Sequence, residues 1–170
     1  MRKSLEAIAL VALALLVWIT YDALTGPNRL PDRIPTHFDA AGNANGWGSP
    51  AAMILLPIVA IGLYFAMSVT ALFPGAFHYP VRATRMSLPR LQDITLDMMS
   101  WLKAELSGFF AILQWAIIRA ARSGQGSLFA LLVPALLVVV FSTIGWHFVA
   151  ILRAAKAAAR PITPPNQPTE

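Results

Sequence analysis

His37 and Asp39 stand two apart in a proline-punctuated segment. In extended backbone, side chains at that spacing point the same way. The carboxylate can then orient the imidazole, or the two can form half of a metal site. A stable zinc site needs three or four ligands. The other histidines, His78 and His147, belong to segments on the opposite side of the topology argued below. The expectation is a structural hydrogen bond at His37, with ligand or partner recognition as the functional alternative. Neither a metal nor a cofactor is expected.

Lys103 and Glu105 are the ionisable residues of an otherwise apolar stretch. Two residues apart on a helix is about 200° of rotation, so they cannot pair with each other. Lys103, Ser107 and Gln114 fall on one face, and Trp101, Glu105, Ile112 and Trp115 on the other. A polar stripe of this kind suits hydrogen bonding between membrane helices, with Lys103 snorkelling to the interface. The functional alternative is the lining of a solute path.

Other chemistry is missing. No Ser–His–Asp order can be interpreted, and there is no glycine-rich phosphate loop, paired acidic motif or H-E-x-x-H. The chain has no cysteine, which removes disulfides, thiolate catalysis and Cys-based metal sites. The protein is expected not to be an enzyme.

The elements that hold these residues follow from composition. Hydrophobic residues make up 57% of the 170 residues and charged residues 12%, against roughly 45–50% and 25% in soluble domains. Mean hydropathy is +0.62. The net charge of +5 is scattered in short basic groups beside apolar runs, with no stripe for nucleic acid. Basic flanks are what membrane orientation uses.

A bilayer core needs about 20 apolar residues per helix. Four segments qualify: Leu5 to Leu24, Ala51 to Phe73, Met98 to Ile118 and Leu128 to Leu152. The first lacks an A-x-A-like cleavage site and is read as an uncleaved helix. Pro57 and Pro134 lie inside the second and fourth, as membrane helices tolerate. The third is weakest, because of Lys103 and Glu105. The fold class is therefore an all-α integral membrane protein, a four-transmembrane-helix bundle with an ordered external loop between helices 1 and 2.

Orientation follows from the basic residues. Arg2, Lys3, Arg82, Arg85, Arg90, Arg153, Lys156 and Arg160 fall on one side; Arg29, Arg33, Arg119 and Arg122 fall on the other. The richer side is expected to be cytoplasmic, with both termini there and the first connection outside. The alanine-rich stretch after Leu152 favours a helical extension, and the proline-rich tail 161–170 disorder.

The external connection runs from about Thr25 to Pro50. Pro31 and Pro35 make their neighbours extended. Gly42, Gly46 and Gly48 offer turns, and Asn45-Gly46 is a favoured pair for a tight turn. Ile34, Phe38 and Trp47 are apolar anchors for a compact cap.

The pattern L-P-x-x-I-P-x-H-F-x-x-x-G-x-x-x-G-W-G, between two apolar helices, resembles a bacterial membrane domain of unknown function. That domain also stands at the N-terminus of SdpI-type membrane proteins, whose named member confers immunity to a secreted toxin. Pro35, His37, Phe38, Gly42, Gly46 and Trp47 carry the match, which covers residues 5–73. The C-terminal half lacks the Gly-Ile-Arg-Thr-like segment associated with the second region of SdpI-type proteins. The resemblance implies a multi-pass protein of a bacterial inner membrane.

Together these readings divide the chain into a family-like membrane domain, 1–75, a second helical hairpin, 76–160, and the tail. Binding is assigned to Pro35, His37, Phe38, Asp39, Gly42, Gly46 and Trp47 of the loop, and intramembrane polarity to Lys103, Glu105 and Gln114. The expected function is non-enzymatic: sensing, binding, or immunity and signalling at the external face. The alternative is a small transporter or channel subunit. The expected partners are the lipid bilayer, an external peptide or protein ligand, and further copies of the chain in a homo-oligomer, but no nucleic acid.

Overall fold

The computed structural model describes residues 1–27, 29–39, 41, 43–123 and 129–158. Gly42, Leu128 and the tail 161–170 lie outside the described residues.

Helix α1 spans Arg2–Thr25. It ends where Gly26 donates its backbone N–H to Asp22 O at 2.8 Å. A Cβ on Gly26 would lie 2.5 Å from that same oxygen, so glycine lets the chain leave the helix while still capping it. Two strands follow, β1 (Ile34–Phe38) and β2 (Ala44–Gly48), paired antiparallel. A short 3₁₀ turn, Pro50–Ile54, leads into α2, Leu55–Ala71. Ser49 Oγ accepts from the Ala51 N–H at 3.3 Å, and Pro50 occupies the first turn, where a missing N–H costs nothing. Pro57 stands in the first turn of α2 and costs little for the same reason. Helix α3 is Leu88–Ser123 and α4 is Phe129–Ala158, with Pro134 inside it.

The fold is mostly helical, and four helical segments are long and apolar enough to cross a membrane: Arg2–Thr25, Pro50–Ala71, Leu88–Arg122 and Leu131–Ala158. The expected segments and these agree in number and order. The third differs in length. The apolar run suggested Met98 to Ile118, but α3 has 36 residues, about 54 Å at 1.5 Å per residue. Its charged first turns continue the helix because one side of them has partners. Leu91 packs with Ile151 and Ala154 of α4 and with Tyr79 and Val81 of the preceding connection. The alanine-rich extension of α4 runs to Ala158, as its composition suggests.

Helices α1 and α3 run side by side in the same direction. Arg2 meets Asp97, Glu6 meets Lys103, Thr20 meets Gln114 and Asp22 meets Arg122, so contacts advance together along both helices. Small residues permit the close approach. Ala9 packs with Leu5 and Ala104, and Ala60 and Ala111 pack with Leu13 and Leu16. The outward faces are apolar, with Phe65, Val138 and Phe141 each about two-thirds exposed.

The first connection is a docked β-hairpin rather than a loop. Ile34 is fully buried among Ala23, Leu30, Met53 and Ile118, which joins β1 to the ends of α1 and α3. The turn is made at Asp39, whose Oδ1 accepts from the N–H groups of Ala41 and Asn43 at 2.9 and 2.8 Å. This is a side chain imitating a backbone turn.

Candidate functional site

The hairpin presents most of the loop residues singled out in the sequence, and it corrects several of their roles. Asn45-Gly46 is no turn. Both residues lie within β2, with Gly46 opposite His37 and Trp47 opposite Pro35. Gly46 does not use the left-handed region either. Its Cβ would lie 2.8 Å from His37 Cβ, so glycine is required by close cross-strand approach. The register is irregular on both sides of His37, which sets that side chain apart from a regular ladder.

His37 does not pair with Asp39. Its Nδ1 meets Asn45 Oδ1 across the strands, while Asp39 is occupied by the turn, including Asn43 Nδ2 at 3.1 Å. Nδ1 therefore donates, leaving the second ring nitrogen of neutral His37 as an acceptor. Spacing along the chain does not single out Asn45, because its partnership depends on register. Pro35 is buried, whereas His37 and Asp39 are exposed. Trp47, expected to bury its ring, is 55% exposed. Ile34 and Leu30 do the anchoring instead. The Phe38 side chain and Gly42 lie outside the described residues.

A second group lies between the helices. Lys103 is buried and forms an ion pair with Glu6 of α1. Tyr64 of α2 donates to the other Glu6 oxygen at 2.8 Å, and its ring lies 5.1 Å from Lys103 Nζ. Lys103 also reaches Ser68 Oγ at 3.4 Å. Snorkelling is thus the wrong account of Lys103: it points into the bundle to a counter-charge. Glu6 was missed because it sits at the head of an apolar run, where a single carboxylate reads as a flank. Gln114, also fully buried, donates to Thr20 Oγ1 at 2.8 Å and to Met53 O at 3.2 Å. It thereby links α3 to α1 and to the 3₁₀ turn.

Glu105 faces α4. Thr143 Oγ1 donates to its Oε1, and His147 donates Nδ1–H to Thr143 O at 2.8 Å. Glu105 Oε2 is buried and has no hydrogen-bond partner among the described residues. These residues line a cavity of about 570 Å³ between α3 and α4. Among the described residues, no three His, Cys, Asp or Glu side chains gather as a metal site.

A family model described as a domain of unknown function (DUF1648) matches residues 7–61. The matched segment takes in most of α1, the hairpin and the start of α2, about a third of the chain. The hairpin lies wholly inside it, whereas Glu6, Tyr64, Lys103 and Glu105 lie outside. No match was found among curated proteins or among solved structures.

Proposed function

We propose that this is a non-enzymatic multi-pass membrane protein that recognises a peptide or protein ligand at the external face through the β-hairpin. The observation that carries this reading is the division of the hairpin into a buried root and an exposed tryptophan. Ile34 and Leu30 are sunk into the bundle, while Trp47 stands 55% exposed. A large aromatic ring held on a fixed base suits recognition, because little freedom is lost on binding. His37, exposed on the same hairpin, adds a polar group.

The membrane setting is supported by the four apolar helices and their apolar outer faces. A water-soluble monomer rarely exposes a continuous surface of this kind. The orientation rests on the eight-to-four basic bias. Arg82, Arg85, Arg90, Arg153 and Lys156 are all exposed, as residues beside cytoplasmic headgroups would be. The match to residues 7–61 supports the likeness to a domain of unknown function, and the SdpI-type likeness rests on the loop pattern alone. Immunity or signalling is the form of recognition that likeness suggests, and a bacterial inner membrane its setting.

The test is to present secreted peptides from the host's culture medium to the protein in nanodiscs and identify bound species by mass spectrometry. A species retained by wild type and lost in Trp47→Ala is expected. Retention that ignores both Trp47→Ala and His37→Ala counts against the reading. The alternative, a small transporter or channel subunit, is favoured by the ion pair of buried Lys103 with Glu6. Solute flux into proteoliposomes without any ligand would support it.

A further inference from the structure

We propose that the cavity between α3 and α4 binds an organic ammonium ion with an aromatic or apolar body. Its polar floor carries acceptors that the fold leaves unused. Glu105 Oε1 is occupied by the Thr143 hydroxyl, but Oε2 is buried without a partner among the described residues. A buried carboxylate oxygen left unpaired is costly, and a ligand donor removes that cost. His147 commits Nδ1–H to Thr143 O, so whenever the ring is uncharged its second nitrogen is also an acceptor. Two acceptors lining one cavity call for a ligand rich in N–H donors and positive charge.

The walls select the rest of the molecule. Trp101 and Trp146 line the same cavity as Glu105 and His147. Tryptophan faces attract cations and pack against rings. The volume, about 570 Å³, is that of a small-molecule site rather than of a bare ion or a single water. Asp97 also lines it but is engaged by Arg2, which leaves Glu105 as the carboxylate free to meet a ligand. Trp146 is 74% exposed on the outer side of α4, so the cavity opens beside the apolar surface. An amphiphilic amine dissolved in the bilayer would reach it from there.

The experiment uses the full chain in zwitterionic nanodiscs at neutral pH. Radiolabelled 2-phenylethylammonium is measured by equilibrium dialysis, with empty nanodiscs subtracting partition into lipid. The neutral 2-phenylethanol and the anionic 3-phenylpropionate are compared. Saturable binding of the ammonium alone is expected, weakened by about tenfold or more in Glu105→Gln, the equivalent of about 1.4 kcal/mol. Trp18→Ala, whose ring lies on α1 away from this cavity, should bind as wild type does. Equal binding of the neutral compound would overturn the proposal, leaving only an apolar cleft. Lack of saturable binding would overturn it too. If Glu105→Gln fails to fold, Trp146→Ala decides, because an exposed ring can be removed without disturbing the core. Weakened binding there supports the proposal, and unchanged binding overturns it.

Discussion

Lys103 and Glu6, on parallel helices, form a partly buried ion pair that Tyr64 and Ser68 of a third helix complete. Removing Glu6 leaves the Lys103 charge in a buried site with little water to replace its partner, at a cost of about 3–5 kcal/mol. The two sides are unequal. Lys103 is 6% exposed and Glu6 is 31% exposed. Glu6→Ala, which strands the more buried charge, should therefore destabilise more than Lys103→Met. The double variant should recover much of the loss. Thermal unfolding of purified protein measures this, and simple additivity of the two losses would contradict it.

Gly46→Val should open the hairpin, because its Cβ meets His37 Cβ at 2.8 Å. Overpacking of this kind costs about 1–3 kcal/mol. Asp39→Ala removes the carboxylate that accepts from two backbone N–H groups of the turn and should act in the same direction by about 1 kcal/mol. Both should speed proteolysis after Arg29 and Arg33 in membranes. Cleavage at the wild-type rate would show that the close approach does not govern the hairpin.

Ile34 and Trp47 should separate anchoring from recognition. Ile34→Ala empties a fully buried position, at about 2–5 kcal/mol. It should raise protease sensitivity sharply. Trp47→Ala removes an exposed ring and should leave protease resistance near wild type while abolishing ligand retention. Reversed roles would place the anchor at Trp47.

Gln114→Leu should loosen the contact of α1 and α3 with the 3₁₀ turn. It leaves Thr20 Oγ1 and Met53 O without the donor they share. The expected loss is about 1–3 kcal/mol. Gln114→Glu, which keeps the shape but loses the amide donor, should not rescue it in thermal unfolding.

The four helices were legible because an apolar run of membrane length has few other interpretations. Their ends were less so. Residues 88–97 of α3 are charged on one side, and only packing of Leu91 against α4 shows why the helix begins there. The loop's importance was legible from its proline, glycine and tryptophan spacing, but not its form. Gly46 suggested a turn by its neighbour Asn45, whereas Asp39 makes the turn and Gly46 faces His37. Lys103 could be singled out as an unusual cation. Its partner Glu6 lies 97 positions away, and no local pattern connects them.

A hairpin facing the exterior on a membrane-spanning bundle is accessible to cysteine labelling from outside the cell. The chain has no cysteine of its own. Asn43→Cys, in the exposed hairpin turn, and Thr84→Cys, in the exposed connection before α3, should be treated in intact cells with an impermeant thiol reagent. Labelling of Asn43→Cys alone, with Thr84→Cys reacting only after permeabilisation, is the predicted result. Labelling of Thr84→Cys but not Asn43→Cys would contradict the account.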